Sequence, residues 1–239
     1  MAKQKSSDRK AIAEKLRREQ QRKERIRSLS ILGACGLVVV ILLGAAITKY
    51  VADQRAVSKV QNTALENIGV SKAAAGCAPI KTKSAQGSGQ HVTPPTPITY
   101  PDAPPAFGKH WGNYLTPTEL RTFYTRSDAP QIERLVHSLE HGHTILWYDD
   151  SIKTGSQDYQ AIQQLGSRLG ADTYFMAAPY ITALDGGTFP VGKHVALTHW
   201  TGPNKQTGVW EYCARPSGSV VKSFMATYPK QDAPEPGAA

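Results

Sequence analysis

Twenty consecutive residues without a charge, Leu29 to Thr48, constrain this chain more than any other feature. As a helix rising about 1.5 Å per residue they span roughly 30 Å, the thickness of a bilayer's hydrocarbon core. A helix can cross there because its backbone groups pair internally. The rival readings are a buried core helix and a cleavable signal peptide. A core helix is rarely apolar all round over such a length. A signal peptide has a shorter apolar region and a small-x-small cleavage site, for which Gly44-Ala45-Ala46 is a weak candidate. The long charged leader and the long apolar run favour a retained transmembrane helix over residues 29–48.

Charge sets the expected orientation. The chain carries a formal +9, but its first 30 residues hold eleven bases and four acids, a net +7. The remaining 209 residues carry only +2, which excludes reading the whole protein as a nucleic-acid binder. Eleven bases precede the span, whereas Lys49, Arg55 and Lys59 follow it, diluted by Asp53. The positive-inside rule then places residues 1–28, a basic helix or tail, in the cytoplasm, and the C-terminal part outside the cell membrane. The basic segment reads as an orientation signal near anionic lipid. It offers no aromatic residues for base stacking, so no nucleic-acid partner is expected.

Residues 49–76 read as a juxtamembrane stalk, helical at first, with Val57, Val60, Ala64 and Ile68 at near-helical spacing. The folded domain is expected over 77–229. Residues 81–105 are Gly/Ser-rich and then hold six prolines, which precludes a regular helix or central strand. His91, Tyr100, Phe107, His110 and Trp111 are interleaved with or follow this stretch, so it reads as an ordered extended loop rather than a linker. A helix is predicted from Ala129-Pro130, with Asp128 as N-cap, to His141, ending at Gly142. Strands are predicted at 143–148, 173–178 and 195–200, and helices at 157–169 and 217–228. Residues 230–239, rich in Pro, Ala and Gly, read as a disordered tail. The order implies one small α+β domain with a mixed three-stranded sheet and flanking helices. Its first two strands would run parallel through a helical crossover.

Of three cysteines, Cys35 lies in the apolar run and reads as a packing residue. Cys77 and Cys213 are expected to form a disulfide in an oxidising compartment, with two free thiols as the alternative. The closed loop would stabilise the domain by about 4–5 kcal/mol. The absence of C-x-x-C argues against a thiol–disulfide oxidoreductase. No nucleotide-binding glycine loop and no G-x-S-x-G elbow is present.

All seven histidines lie after the apolar run. His137 and His141 stand four apart on a predicted helix, the spacing by which one face presents two nitrogen ligands to Zn or Cu. His137-Ser138-Leu139-Glu140-His141 also matches H-x-x-E-H, the inverted zinc-protease signature. There Glu140 would be the catalytic general base. Such a site needs a third ligand, for which Glu211 is a candidate. The plainer alternative is a pair of histidines hydrogen-bonded to the proline loop.

Several segments together resemble a bacterial membrane-protein family known as domain of unknown function 3105. They are His91, Tyr100 to His110 (YPDAPPAFGKH), Gly112-x-Tyr114 and, above all, Val136 to Gly142 (VHSLEHG). Ala196-Leu197-Thr198-His199-Trp200 resembles a later strand of the family, with His199 as a departure. The resemblance covers roughly residues 75–228. It implies a single-span protein with one outer domain and supplies no activity. It singles out His91, His110, His137, Glu140 and His141.

The leading expectation is therefore an extracytoplasmic module that binds Zn or Cu through His137, His141, His110 and His91, with Glu140 as ligand or supporting residue. A zinc hydrolase and a non-catalytic module that binds another envelope protein are the alternatives.

Overall fold

The computed structural model describes residues 2–237, with backbone alone for 2–14, 16 and 56–61. The chain divides into two compact units, one up to Ser58 and one from Lys59 on.

The first unit is helical. Helix α1 runs over Ala2–Asn62, and its segment Arg17–Arg55 is long and apolar enough to cross a membrane. Leu29, Leu32, Leu42 and Ile47 are all exposed on it. Two hydroxyls that flank or close the apolar run are satisfied within the helix. Ser30 Oγ donates to the Ile26 carbonyl and Thr48 Oγ1 to that of Ala45, both at 2.9 Å. Such back-bonding lets a hydroxyl enter an apolar medium without an unpaired donor.

In the second unit five strands form one mixed sheet: β1 (Lys81–Ser84), β4 (Thr144–Tyr148), β5 (Phe175–Pro179), β6 (Val195–Thr201) and β7 (Thr207–Cys213). Two short strands, β2 (His91–Val92) and β3 (His110–Trp111), pair apart from it. The order β1-β7-β6-β4-β5 corrects the expected three-stranded sheet. Both unforeseen strands lack a clean alternating signal. β1 (KTKS) is exposed at every position, and β7 begins on Thr-Gly. An edge strand needs no apolar face when its lysines are otherwise engaged. Here Lys81 and Lys83 each lie 2.9 Å from an Asp102 carboxylate oxygen. As expected, β4 and β5 are parallel, joined through helix α3 (Gln157–Leu169).

Strands β4–β7 are buried on both faces, which explains their near-continuous apolar runs. On one face Leu146, Tyr148, Leu197 and Val209 pack against Ile162 and Leu165 of α3. Val220 and Phe224 of a C-terminal helix, Gly218–Thr227, join them. On the other face Ile145, Trp147, Trp200 and Trp210 pack against Leu135, Val136 and Leu139 of helix α2 (Ile132–Glu140). Helix α2 starts at the N-cap Gln131, not at Asp128. The Asp128 carboxylate instead accepts from Thr125 N at 2.6 Å, closing the preceding turn.

The proline segment is ordered. Its carbonyls have no ladder partners and take bonds from buried aromatic tips instead. Trp210 Nε1 donates to the Pro104 carbonyl at 2.7 Å and Trp111 Nε1 to that of Thr96 at 2.8 Å.

Two further expectations are corrected. Helix α1 ends at Asn62, and Ile68 and Ala75 are buried in the domain core, so the latter part of the stalk belongs to the fold. Val57 and Val60 lie outside the described side chains. The C-terminal tail is not disordered over its described length. Lys230–Asp232 form a 3-10 turn, Ala233 is fully buried, and Glu235 is hydrogen-bonded to helix α2. Residues 238–239 lie outside the described residues. Cys77 and Cys213 are joined, 136 positions apart in sequence.

Candidate metal centre

Four side chains converge on the face that carries α2. In the parallel pair β2–β3, His91 stands opposite His110, so two imidazoles lie side by side. Their ring centroids are 4.8 Å apart. Helix α2 supplies His137 and Glu140, three apart on one face. His137 lies with its centroid 4.7 Å from that of His110 and 5.1 Å from that of His91. One ligand atom from each of His91, His110, His137 and Glu140 lies within 4.8 Å of all the others.

The ring orientations are set by backbone carbonyls. Nδ1 of His110 lies 2.9 Å from the Gly108 carbonyl, and Nδ1 of His137 lies 2.6 Å from that of Trp111. A carbonyl can only accept, so each Nδ1 carries the proton and donates. The His137 ring, neutral at pH 7, then keeps a lone pair on Nε2, the tautomer that binds metal, and His110 turns the same nitrogen toward the group. His110 is fully buried, whereas His91 stands at the rim with its side chain 56% exposed.

Glu140 closes the group. Its side chain is 5% exposed, and Oε2 lies 2.9 Å from His110 Nε2 and 3.8 Å from His91 Nε2. Despite that closeness, neither His110 Nε2 nor Glu140 Oε2 completes an aligned hydrogen bond among the described residues. The buried His110 Nε2 and Glu140 Oε2 thus approach each other without a completed bond among the described residues. A buried arrangement of this kind costs free energy unless a proton or a cation lies between them.

Electrostatics favour the ligand forms. Burial pushes the His137 imidazole down to about 4, helped by the neighbouring His110, His141 and His91, so it is neutral at pH 7. Burial alone would raise the Glu140 carboxyl. The His110 contact and the nearby imidazoles outweigh it, so the group is held below the usual carboxylate range.

Gly89 also belongs to this site. A Cβ there would collide with Glu140 Oε1, so the glycine makes room for the carboxylate. Nothing in its sequence context marks it.

Of the five residues expected to bind metal, four share one group. His141 stands apart from it. It is the C-cap of α2, its ring is 4.7 Å from that of His137, and it groups with Glu140 and Glu235. Its Nδ1 donates to the Glu235 carbonyl at 3.0 Å. The ring also lines an apolar cavity of about 220 Å³, with Tyr114, Leu120 and Tyr174. The pair on α2 that shares this group is thus His137 and Glu140 at i,i+3, while His141 lies in the neighbouring group.

Glu211, the other candidate ligand, is on the far face of the sheet beside Cys77 and Cys213, where burial raises its carboxyl. Of the remaining histidines, His194 is partly exposed and lies 3.0 Å from Asp149 Oδ2, whereas His143 and His199 are buried. His143 donates to the Ser138 carbonyl at 3.1 Å, and His199 to that of His143 at 3.2 Å.

Fold and site together define a class: a mixed-sheet domain covered on both faces, with a His3Glu group on one of them, following a long apolar helix. The family described as "Protein of unknown function (DUF3105)" matches residues 91–239, and the chain belongs to it. No curated protein and no solved structure matches the chain.

Proposed function

We propose that this chain is a single-pass membrane protein, N-terminus inside, whose extracytoplasmic domain holds one Zn or Cu ion through His91, His110, His137 and Glu140. The observation that carries this reading is the buried, unaligned contact of Glu140 Oε2 with His110 Nε2 at 2.9 Å. Three imidazoles and one carboxylate suit Zn and Cu better than Mg or Ca, which prefer oxygen ligands. The exposed rim position of His91 leaves one side of the ion open to exchange or to a small ligand. The inverted-protease alternative draws less support. It needs His137 and His141 on one ion with Glu140 as base, whereas Glu140 lies among the ligand nitrogens and His141 beside them.

Ligand-linked stability tests the proposal. A metal that binds only the folded domain raises its melting temperature with concentration. The full chain in detergent is expected to melt several degrees higher with Zn²⁺ or Cu²⁺ than with chelator. His110→Ala and Glu140→Gln are expected to remove that difference. An equal melting temperature with and without either metal would refute the reading.

A further inference from the structure

Glu140 is the last residue of helix α2 and belongs to two groups of ligand atoms. The second group joins it to His141 and Glu235, again with one atom of each within 4.8 Å of the others. Two backbone bonds hold Glu235 there. Its N–H donates to the Glu140 carbonyl at 3.0 Å, and its carbonyl accepts from His141 Nδ1 at 3.0 Å. Pro234 and Pro236 flank it and restrict its backbone.

This places two carboxylates together at the C-terminal end of a helix, where the helix dipole is itself negative. Nearby like charges destabilise the fold unless a cation joins them. Glu140 is also more than nine-tenths buried, and its Oε2, which faces His110 and His91, lacks an aligned hydrogen bond among the described residues. The Glu140 carboxylate thus lies within 4.8 Å of ligand atoms of three imidazoles in one group and of a second carboxylate and a fourth imidazole in the other.

We propose that the domain takes a second divalent transition-metal ion at Glu140, His141 and Glu235, with the Glu140 carboxylate bridging the two ions. The inference rests on the first site being a metal site. The first position has three nitrogens and one oxygen, and the second has one nitrogen and two oxygens. For Zn²⁺, the second is expected to be the weaker. With both ions bound, the pair would offer a clamp for a two-oxygen ligand such as a phosphate or carboxylate group.

The test is calorimetric titration of Zn²⁺ into the chelator-stripped full chain in detergent. Two equivalents of unequal affinity are expected. Glu235→Gln and His141→Asn should each lose the weaker equivalent and keep the tighter one. Circular dichroism melts in chelator would check that both variants fold. Glu235→Gln changes an exposed side chain, so it keeps the test informative if His141→Asn unfolds. A single equivalent in the wild type, or two equivalents unchanged in Glu235→Gln, overturns the second position and leaves the first standing. No bound zinc overturns both.

Discussion

The carboxylate of Glu140 faces His110 Nε2 at 2.9 Å and His91 Nε2 at 3.8 Å, with its own oxygen against Gly89 on the other side. Charge and space at this one position therefore decide the site. Glu140→Gln keeps the shape and removes the charge, and is expected to weaken Zn²⁺ affinity by on the order of 100-fold. Gly89→Ala keeps every ligand but pushes the carboxylate aside, and a loss of about tenfold or more is expected. Competition with a chromophoric chelator measures both. Unchanged affinity in Glu140→Gln would remove Glu140 from the ligand set.

His199 gives a separate residue-level prediction. It is fully buried, and its surroundings are His143, Thr144, the Tyr228 ring and the Asp232 carboxylate. Burial lowers its imidazole from 6.5 to about 4. The unfolded chain thus binds the proton first as pH falls. The neutral ring's contribution is full above pH 6.5 and is lost as pH drops toward 4, up to roughly 3 kcal/mol. Denaturant unfolding across that range should show a shallower pH slope in His199→Asn than in the wild type. At this scale the sequence marked the histidines and Glu140 through the VHSLEHG pattern. It could not show which pair on α2 shares a face with β3, because that depends on where the helix starts and ends. Gly89 was invisible because its role is a collision that exists only after folding.

Among elements, the parallel unit β4–α3–β5 and helix α2 were legible because periodicity and glycine stops mark them in local sequence. Strands β1 and β7 were not, since β1 has no apolar face and is defined by its partner. The tail was misjudged for a related reason. Its composition resembles a disordered segment, yet Ala233 is fully buried and Lys230 packs over Gly142. Gly142 has φ +101°, and a Cβ there would come within 2.5 Å of the Lys230 carbonyl. Gly142→Ala should therefore detach the tail and destabilise the domain by about 1–3 kcal/mol. Limited proteolysis would show cleavage after residue 229 in the variant and protection in the wild type. The disulfide acts on the same scale, closing a loop whose ends are 136 positions apart. Cys77→Ser with Cys213→Ser should lower unfolding stability by up to about 5 kcal/mol. A change under about 1 kcal/mol would mean that the bond does not constrain the unfolded chain.

For the molecule as a whole, charge and hydropathy divide the chain before any fold is considered. The +7 precedes the apolar run, and the rest of the chain is close to neutral. A periplasm-dependent reporter such as alkaline phosphatase, fused to the C-terminus in a bacterial host, is expected to be active. A cytoplasm-dependent fluorescent reporter there should be dark, and the reverse pattern would invert the proposed orientation. The charge bias concerns where the domain sits, whereas the histidine cluster concerns what it holds. Metal content tests the second most directly. The full chain and His137→Ala would be purified in detergent without chelator and analysed for Zn and Cu by mass spectrometry. At least one equivalent per chain is predicted in the wild type, and at least one fewer in His137→Ala. No stoichiometric metal in the wild type, or equal metal in the two proteins, would contradict the His3Glu centre.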